Sequence, residues 1–377
     1  VHMIQFLSFK HIMLPFVLLI LSYALILSGC ARVAQPEGWS SGVVTDDFIF
    51  VGTMEGQLIA LDRFSGETYW KFNLRGEESQ RAIYGTPAIS NETLYIGGYD
   101  SILYALTTEG NLIWEERLDG PIVGSPFVTE NLILVSSTDG HVYAFDKSEQ
   151  SRKWRFKAEN SVWSGPIASS GVVYFGSLDH NVYALTQDDG DLLWKFSTKG
   201  AITATPLVYD GHVYIGSFDG SFYAIDAKTG METWRFDNAN NWYWGSAIIH
   251  NETIFAPSLD GNLYALDIKT GELLWTIETE GPIIGAPAIV FDMISVASQD
   301  GKIRFARLSN GLELDSCNIG EEIKTSIVAE GGFIYFGAQD NSIRALEIKK
   351  NSGNPDEVWV HYTNQDDPIS RDEAKAC

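Results

Sequence analysis

The chain has 377 residues, 45% of them hydrophobic and 12% aromatic, enough for a large buried core and unlike a disordered polymer. With 49 acidic against 26 basic side chains the formal net charge is −23, a surface that repels phosphate backbones and argues against a nucleic-acid partner. The 35 glycines follow no collagen-like period and read as turn residues.

In chain order, the first feature is apolar. Lys10 precedes an uncharged run of seventeen residues, Ile12 to Ser28. That is short for a membrane span and suits the hydrophobic region of an export signal. The run ends in Leu27-Ser28-Gly29-Cys30, small residues before a lone cysteine, which resembles a bacterial lipobox. The resemblance implies cleavage before Cys30 and lipid on the new terminal residue; several acyl chains hold a protein at a membrane where one does not. An uncleaved anchor helix is the alternative. Residues 1–29 are thus expected to be a lipoprotein signal peptide and 30–37 a lipidated linker, placing the rest outside the cytoplasm. That compartment permits a disulfide between Cys317 and Cys377, a pairing that stays open from sequence.

From residue 38 the chain repeats itself. "MEGQLIALDRFSGETYW" starts at Met54, "LDHNVYALTQDDGDLLW" at Leu178, "FDGSFYAIDAKTGMETW" at Phe218 and "LDGNLYALDIKTGELLW" at Leu259. Aligned on an acidic step, the copies place Glu55, Asp100, Asp139, Asp179, Asp219, Asp260, Asp300 and Asp340 at intervals of 39 to 45 residues. A period near forty built from short apolar runs predicts propeller blades, whereas helical solenoids of that period need long 3.6-spaced stretches. The fifth copy divides into "ATPLVYD", "HVYIGS", "SFYAIDA" and "METWRFD", four strands bounded by Gly and Asp turns. Their apolar residues point to both faces, so each four-stranded antiparallel sheet must pack between two others. Closing eight such sheets into a ring satisfies all of them. The expectation is an all-β, eight-bladed, monomeric propeller over 38–363, followed by a polar tail, 364–377.

Trp70, Trp114, Trp154, Trp194, Trp234 and Trp275 recur on the predicted outermost strand, with Trp359 in the eighth unit and Asp315 replacing the indole in the seventh. A ring there covers the neighbouring blade and can give its N–H to a turn. The segments "AIDAKTGMETW" and "ALDIKTGELLW" resemble the repeats of the PQQ-type (pyrroloquinoline-quinone) β-propeller family across 38–363. Within that family, an eight-bladed lipoprotein of this length is similar to the scaffold lipoproteins of outer-membrane β-barrel assembly. The resemblance implies a non-catalytic protein that binds protein partners in an envelope complex. Quinoprotein dehydrogenases share the propeller, and likeness to them implies bound PQQ against an adjacent cysteine pair. This chain has no adjacent cysteines, so neither enzyme activity nor a cofactor is expected. A quinone- or small-ligand-binding propeller and an extracytoplasmic sensor are the alternatives.

Residues that suggest chemistry have structural readings beside them. "GWSSG" at 38–42 matches the G-x-S-x-G elbow, but no helix is predicted to follow, so it reads as chance. The eight step acids form either a cation ring or hairpin turns in which Asp bonds its own backbone; equal radii in an eightfold ring favour the turns. His141 and His180 read as turn residues, and no metal site is expected. Position three before the proline of "GSP" is predicted to line one rim near the axis. Around the ring it reads Trp39, Tyr84, Val123, Trp163, Thr203, Trp244, Ile284 and Lys324, with Trp242 and Tyr243 added in the sixth unit. Trp39, Tyr84, Trp163, Trp242, Tyr243 and Trp244 are candidates for binding a peptide or ligand, or for plugging the channel. Arg304 and Arg344 replace a recurrent Tyr, and with Lys302, Arg307 and Lys324 they form a candidate docking sector for an acidic partner; packing of the arginine stems is the alternative.

Overall fold

The computed structural model describes residues 40–77, 81–350, 355–365 and 368–370. Cys30, Trp39 and Cys377, with the expected signal peptide and linker, lie outside them.

In the fifth repeat the four runs form strands Leu207–Tyr209, His212–Gly216, Phe222–Asp226 and Glu232–Phe236, paired antiparallel in that order. Tyr214 stands opposite Ala224, and Ala224 opposite Trp234. The same order recurs in all eight sheets, and the described residues contain no helix. In each blade the register slips once between the third and outer strands, between Ala224 and Ile225 in blade five and between Ala265 and Leu266 in blade six. The slip lies next to a turn such as Asp226–Gly230, where Asp226 Oδ1 accepts the amide of Thr229 at 2.7 Å. Gly230 there has φ +71°, and a Cβ on it would lie 2.7 Å from the indole of Trp194, so the position demands glycine twice over.

Alternation along one strand explains why no blade stands alone. Tyr223 and Ile225 pack against Tyr174, Val182 and Ala184 of blade four. Their strand neighbours Phe222 and Ala224 pack against Ile254, Ala256 and Tyr264 of blade six. Each fully buried large side chain contributes about 1.5–3 kcal/mol, and half of that is lost to a blade deprived of one neighbour.

Blade one is made wholly from the N-terminal repeat and blade eight wholly from the C-terminal one, so no strand is shared across the seam. Side chains close the ring instead. Ile49, Val51, Ile59 and Leu61 pack against Tyr335, Ile343, Ala345 and Trp359. Trp359 and Tyr335 both donate to the carbonyl of Arg63, at 3.0 and 3.2 Å. The last sheet reaches past residue 363: Ile369–Ser370 adds a fifth strand on the outer edge, with Val360 opposite Ile369.

Candidate functional site

Most residues that repeat from blade to blade are consumed by the ring itself. The indole N–H groups of Trp70, Trp154, Trp194 and Trp234 donate to the carbonyls of Thr108, Gln187, Ala227 and Ile268 in the next blade, at 2.8 to 3.1 Å. Trp275 lies over Gly311 of blade seven, and Trp114 against Phe145 of blade three. These tryptophans stand on the outer strands and reach across to the next blade.

The step carboxylates are equally occupied. Asp219 Oδ1 accepts the amide of Ser221 at 2.9 Å, and its Oδ2 accepts the hydroxyl of Tyr223 at 2.7 Å and the amide of Lys199 at 2.8 Å. Tyr104, Tyr143, Tyr183 and Tyr264 make the same bond to Asp100, Asp139, Asp179 and Asp260. One carboxylate thereby joins its own turn, its own third strand and the connection that enters the blade. No group of three potential metal ligands gathers among the described residues. His180 is exposed at φ +72°, whereas His141 leans on Asp139, with Nδ1 3.1 Å from Oδ1.

This tie corrects the basic docking sector. Arg304 and Arg344 take the place of the tyrosine and reach the same acid, Arg304 to Asp300 at 2.7 Å and Arg344 to Asp340 at 2.8 Å. They are only 5% and 7% exposed, and Arg344 also pairs with buried Glu357 at 3.0 Å. A partner's carboxylate cannot reach guanidinium groups already buried on their own acids. Lys302 is paired with Glu280 at 3.1 Å and Lys324 with Glu322 at 3.2 Å. Arg307 ends the strand that Lys302 begins, Lys302–Arg307, roughly 17 Å away at the usual rise per residue. The five cations form no common patch.

The rim is where the blades differ. In blades two to eight the amide of the residue before the step acid bonds the connection entering the blade, as Phe218 N–H does to Ala201 O at 2.9 Å and Leu259 N–H to Trp242 O at 2.9 Å. Turns and connections therefore share one face, as the strand order predicts. On it Phe218 stacks on Trp242 at 4.6 Å between ring centroids and on Trp244 at 5.4 Å. Trp244 meets Trp163 edge-on at 6.2 Å, although the two belong to blades six and four. The four rings form a continuous ladder from near the axis outward, ending at Trp242, which is 47% exposed. Tyr84 stands apart, beside Tyr99 at 5.5 Å. In blade eight the same positions are polar, with Glu322, Lys324 and Gln339, whereas blade seven keeps Pro282 and Ile284 beside Gln299.

Tyr243 does not belong to this surface. Flanked by two rim residues, it points the other way into the core between blades five and six and is 0% exposed. Its hydroxyl has no hydrogen-bond partner among the described residues. Burial pushes its phenol well above the ordinary tyrosine range.

A second feature of the axis was not anticipated. Thr86 N–H donates to Ser125 Oγ at 2.8 Å, Gly165 N–H to Thr205 Oγ1, Thr205 N–H to Ser246 Oγ, Ala286 N–H to Ser326 Oγ and Ser326 N–H to Ser41 Oγ. These five bonds stitch inner strands together from blade to blade, and Gly165 and Ala286 bring no hydroxyl to continue them from Ser125 and Ser246. The recurrent small polar residue before the proline was the signal for them.

Cys317, 1% exposed on the outer strand of blade seven, is disulfide-bonded. Cys377, whose pairing with it the sequence leaves open, lies outside the described residues.

The family model for the outer membrane protein assembly factor BamB matches this chain over residues 30–83, 78–165 and 154–349. BamB of Yersinia pestis is 23% identical over 113 residues, 28% of this chain and 29% of that protein. A lupanine 17-hydroxylase [cytochrome c] from a Pseudomonas species is 25% identical over 135 residues, 30% of this chain and 19% of the hydroxylase. These alignments span less than a third of each curated relative's length. The crystal structure of BamB from Moraxella catarrhalis superposes with a TM-score of 0.70 at 19% identity, covering 82% of this chain and 94% of that one, a likeness of fold.

Proposed function

The chain belongs to the BamB family, and from that premise we propose that it is a non-catalytic scaffold of the cell envelope, anchored by lipid on Cys30 after removal of residues 1–29. Its linker, 30–37, leads into the first inner strand, and a protein partner docks on the face that strand enters. In an organism with an outer membrane, the partner belongs to the machinery that assembles proteins there, as the name of the family describes.

The observation that carries this reading is how the side chains are used. The repeated indoles and step acids are tied into the ring, whereas Trp163, Phe218, Trp242 and Trp244 vary between blades and collect on one rim. Trp242 is exposed and the other three rings are partly so, and aromatic rings with few rotamers are what a protein interface places at its centre. The test is crosslinking from native membranes with wild type and Trp242→Ala/Phe218→Ala. The expected result is a crosslinked protein lost in the variant while the thermal midpoint barely moves. An undiminished crosslink would overturn the rim as the docking surface, and a Cys30→Ala protein that stays on membranes would overturn the anchor.

The likeness to lupanine hydroxylase raises a quinone-binding reading. PQQ is a polyanion, and this rim offers it poor company. Asp179, Asp219 and Asp260 stand in its turns, and Lys195 nearby is already paired with Glu159 at 3.0 Å. The donor set does not suit that ligand, and no step is derived through it.

A further inference from the structure

On the face opposite the aromatic rim, two turns of the same blade meet in every blade. The residue at or just past the end of each third strand donates its amide to the turn between the inner and second strands. Ala227 donates to Gly211 O at 2.9 Å, Ile268 to Glu252 O at 3.0 Å, Leu308 to Asp292 O and Ile348 to Gly332 O. Because this bond is constant, the side chains that follow it can be compared blade by blade: Arg63, Thr108, Lys147, Gln187, Ala227, Ile268, Leu308 and Ile348. Alanine, in blade five, is the smallest.

Blade six shows what larger residues do at this place. Ile268, 5% exposed, fills the space against Tyr214 and Leu207 of blade five. Next to it in sequence, Lys269 is ion-paired with Glu252 in solvent. Blade five changes both contacts. Ala227 replaces the isoleucine, and Gly211 stands where blade six has Glu252. A Cβ added at Gly211 would meet nothing within 4 Å. Lys228 thereby loses its carboxylate and makes no ion pair among the described residues. The outcome is a crevice of about 490 Å³ between blades four and five, a volume in the range of small-molecule sites.

The lining has two parts. Its floor is apolar, with Val172, Val208 and the ring of Tyr174, and the half-exposed ring of Tyr209 forms one wall. Its mouth carries one cation and one anion, Lys228 and Asp210, not paired with each other, beside the hydroxyl of Ser170. We propose that this crevice is a binding site for a small zwitterion with an apolar body, of the class of aromatic α-amino acids. Lys228 meets the carboxylate, Asp210 meets the ammonium, and the tyrosines and valines take the side chain. A ligand with a single charge engages only one of the two mouth residues. The site is independent of the rim and of the scaffold reading.

The test is titration calorimetry on the intact folded chain with L-phenylalanine, phenylethylamine and 3-phenylpropionate. L-Phenylalanine is expected to bind saturably, and the two singly charged analogues at least fivefold more weakly. Ala227→Ile, which installs the residue blade six already holds, should abolish binding with the thermal midpoint unchanged. Lys228→Gln should weaken L-phenylalanine at least fivefold and leave phenylethylamine as it was; it carries the test alone if the isoleucine variant misfolds. No saturable binding of L-phenylalanine by the folded wild type overturns the site. Binding that survives Ala227→Ile places the ligand elsewhere, and 3-phenylpropionate binding as tightly as the amino acid overturns the zwitterion.

Discussion

Tyr243 and Tyr264 are neighbouring phenols, 6.3 Å apart between centroids, whose loss should have opposite effects. The hydroxyl of Tyr243 is buried without a partner, a state that costs about 1–3 kcal/mol. Tyr243→Phe removes that penalty and leaves a void of one oxygen, roughly 15 Å³, which costs only about 0.4 kcal/mol. The net expectation is about 1–2 kcal/mol of added stability, or a thermal midpoint raised by roughly 2–4 °C. Tyr264→Phe instead removes a hydroxyl that donates to Asp260 Oδ2 at 2.7 Å and stands 3.3 Å from Asn262 Nδ2. Loss of a hydrogen bond to a carboxylate costs about 1.5–3 kcal/mol, so the midpoint should fall. Differential scanning calorimetry of the two variants and their double mutant reads both signs at once. A Tyr243→Phe protein that melts below wild type by as much as Tyr264→Phe would refute the reasoning, because it would mean that Tyr243 has a partner.

Arg304→Tyr should fold with a midpoint close to wild type, since tyrosine serves the same acid in blades two to six; Arg304→Ala strands buried Asp300 and should cost about 3–5 kcal/mol by chemical denaturation. Trp194→Ala opens the interface between blades four and five and should cost about 3–5 kcal/mol in the same assay, with loss of its indole-to-Ala227 tie. Acid stability should follow the turn aspartates. Thr229 hydroxyl and amide bonds hold the Asp226 carboxyl below its usual range, and the Thr270 amide, with the Thr270 hydroxyl, does so for Asp267 against the opposing effect of burial. Their folded pKa values lie below the unfolded ones, so this stabilisation is complete above the ordinary carboxylate range. It is lost as pH falls through the lowered values. A midpoint measured from pH 7 downward should stay level until about pH 4 and then drop, less steeply in an Asp226→Ala/Asp267→Ala protein.

The ring was legible because each of its devices recurs. A period near forty, four apolar runs per period and an outer-strand indole can be satisfied together by few arrangements; the described sheets repeat the first two throughout and the indole in all but blade seven, where Asp315 stands. Departures from the pattern were harder to read. Arg304 and Arg344 look in sequence like cations added to an acidic surface, because the partner that absorbs them, the step acid four residues earlier, is identified only when the strand carries both to one place. Tyr243 looked like its neighbours Trp242 and Trp244, yet backbone alternation sends it into the core.

Sequence alone determined which blade residues are interchangeable, since short-range patterning and turn chemistry act within some forty residues and repeat without reference to distant parts. Tertiary structure alone decided where the exceptions meet. Trp163 and Trp244 are 81 positions apart and touch because the closed ring turns both toward its axis. Ala227 and Gly211 each look like a minor deletion, and only the packing of blade five on blade four turns them into a cavity. Contacts across a closed ring depend on the angle between blades, and no local pattern encodes that angle.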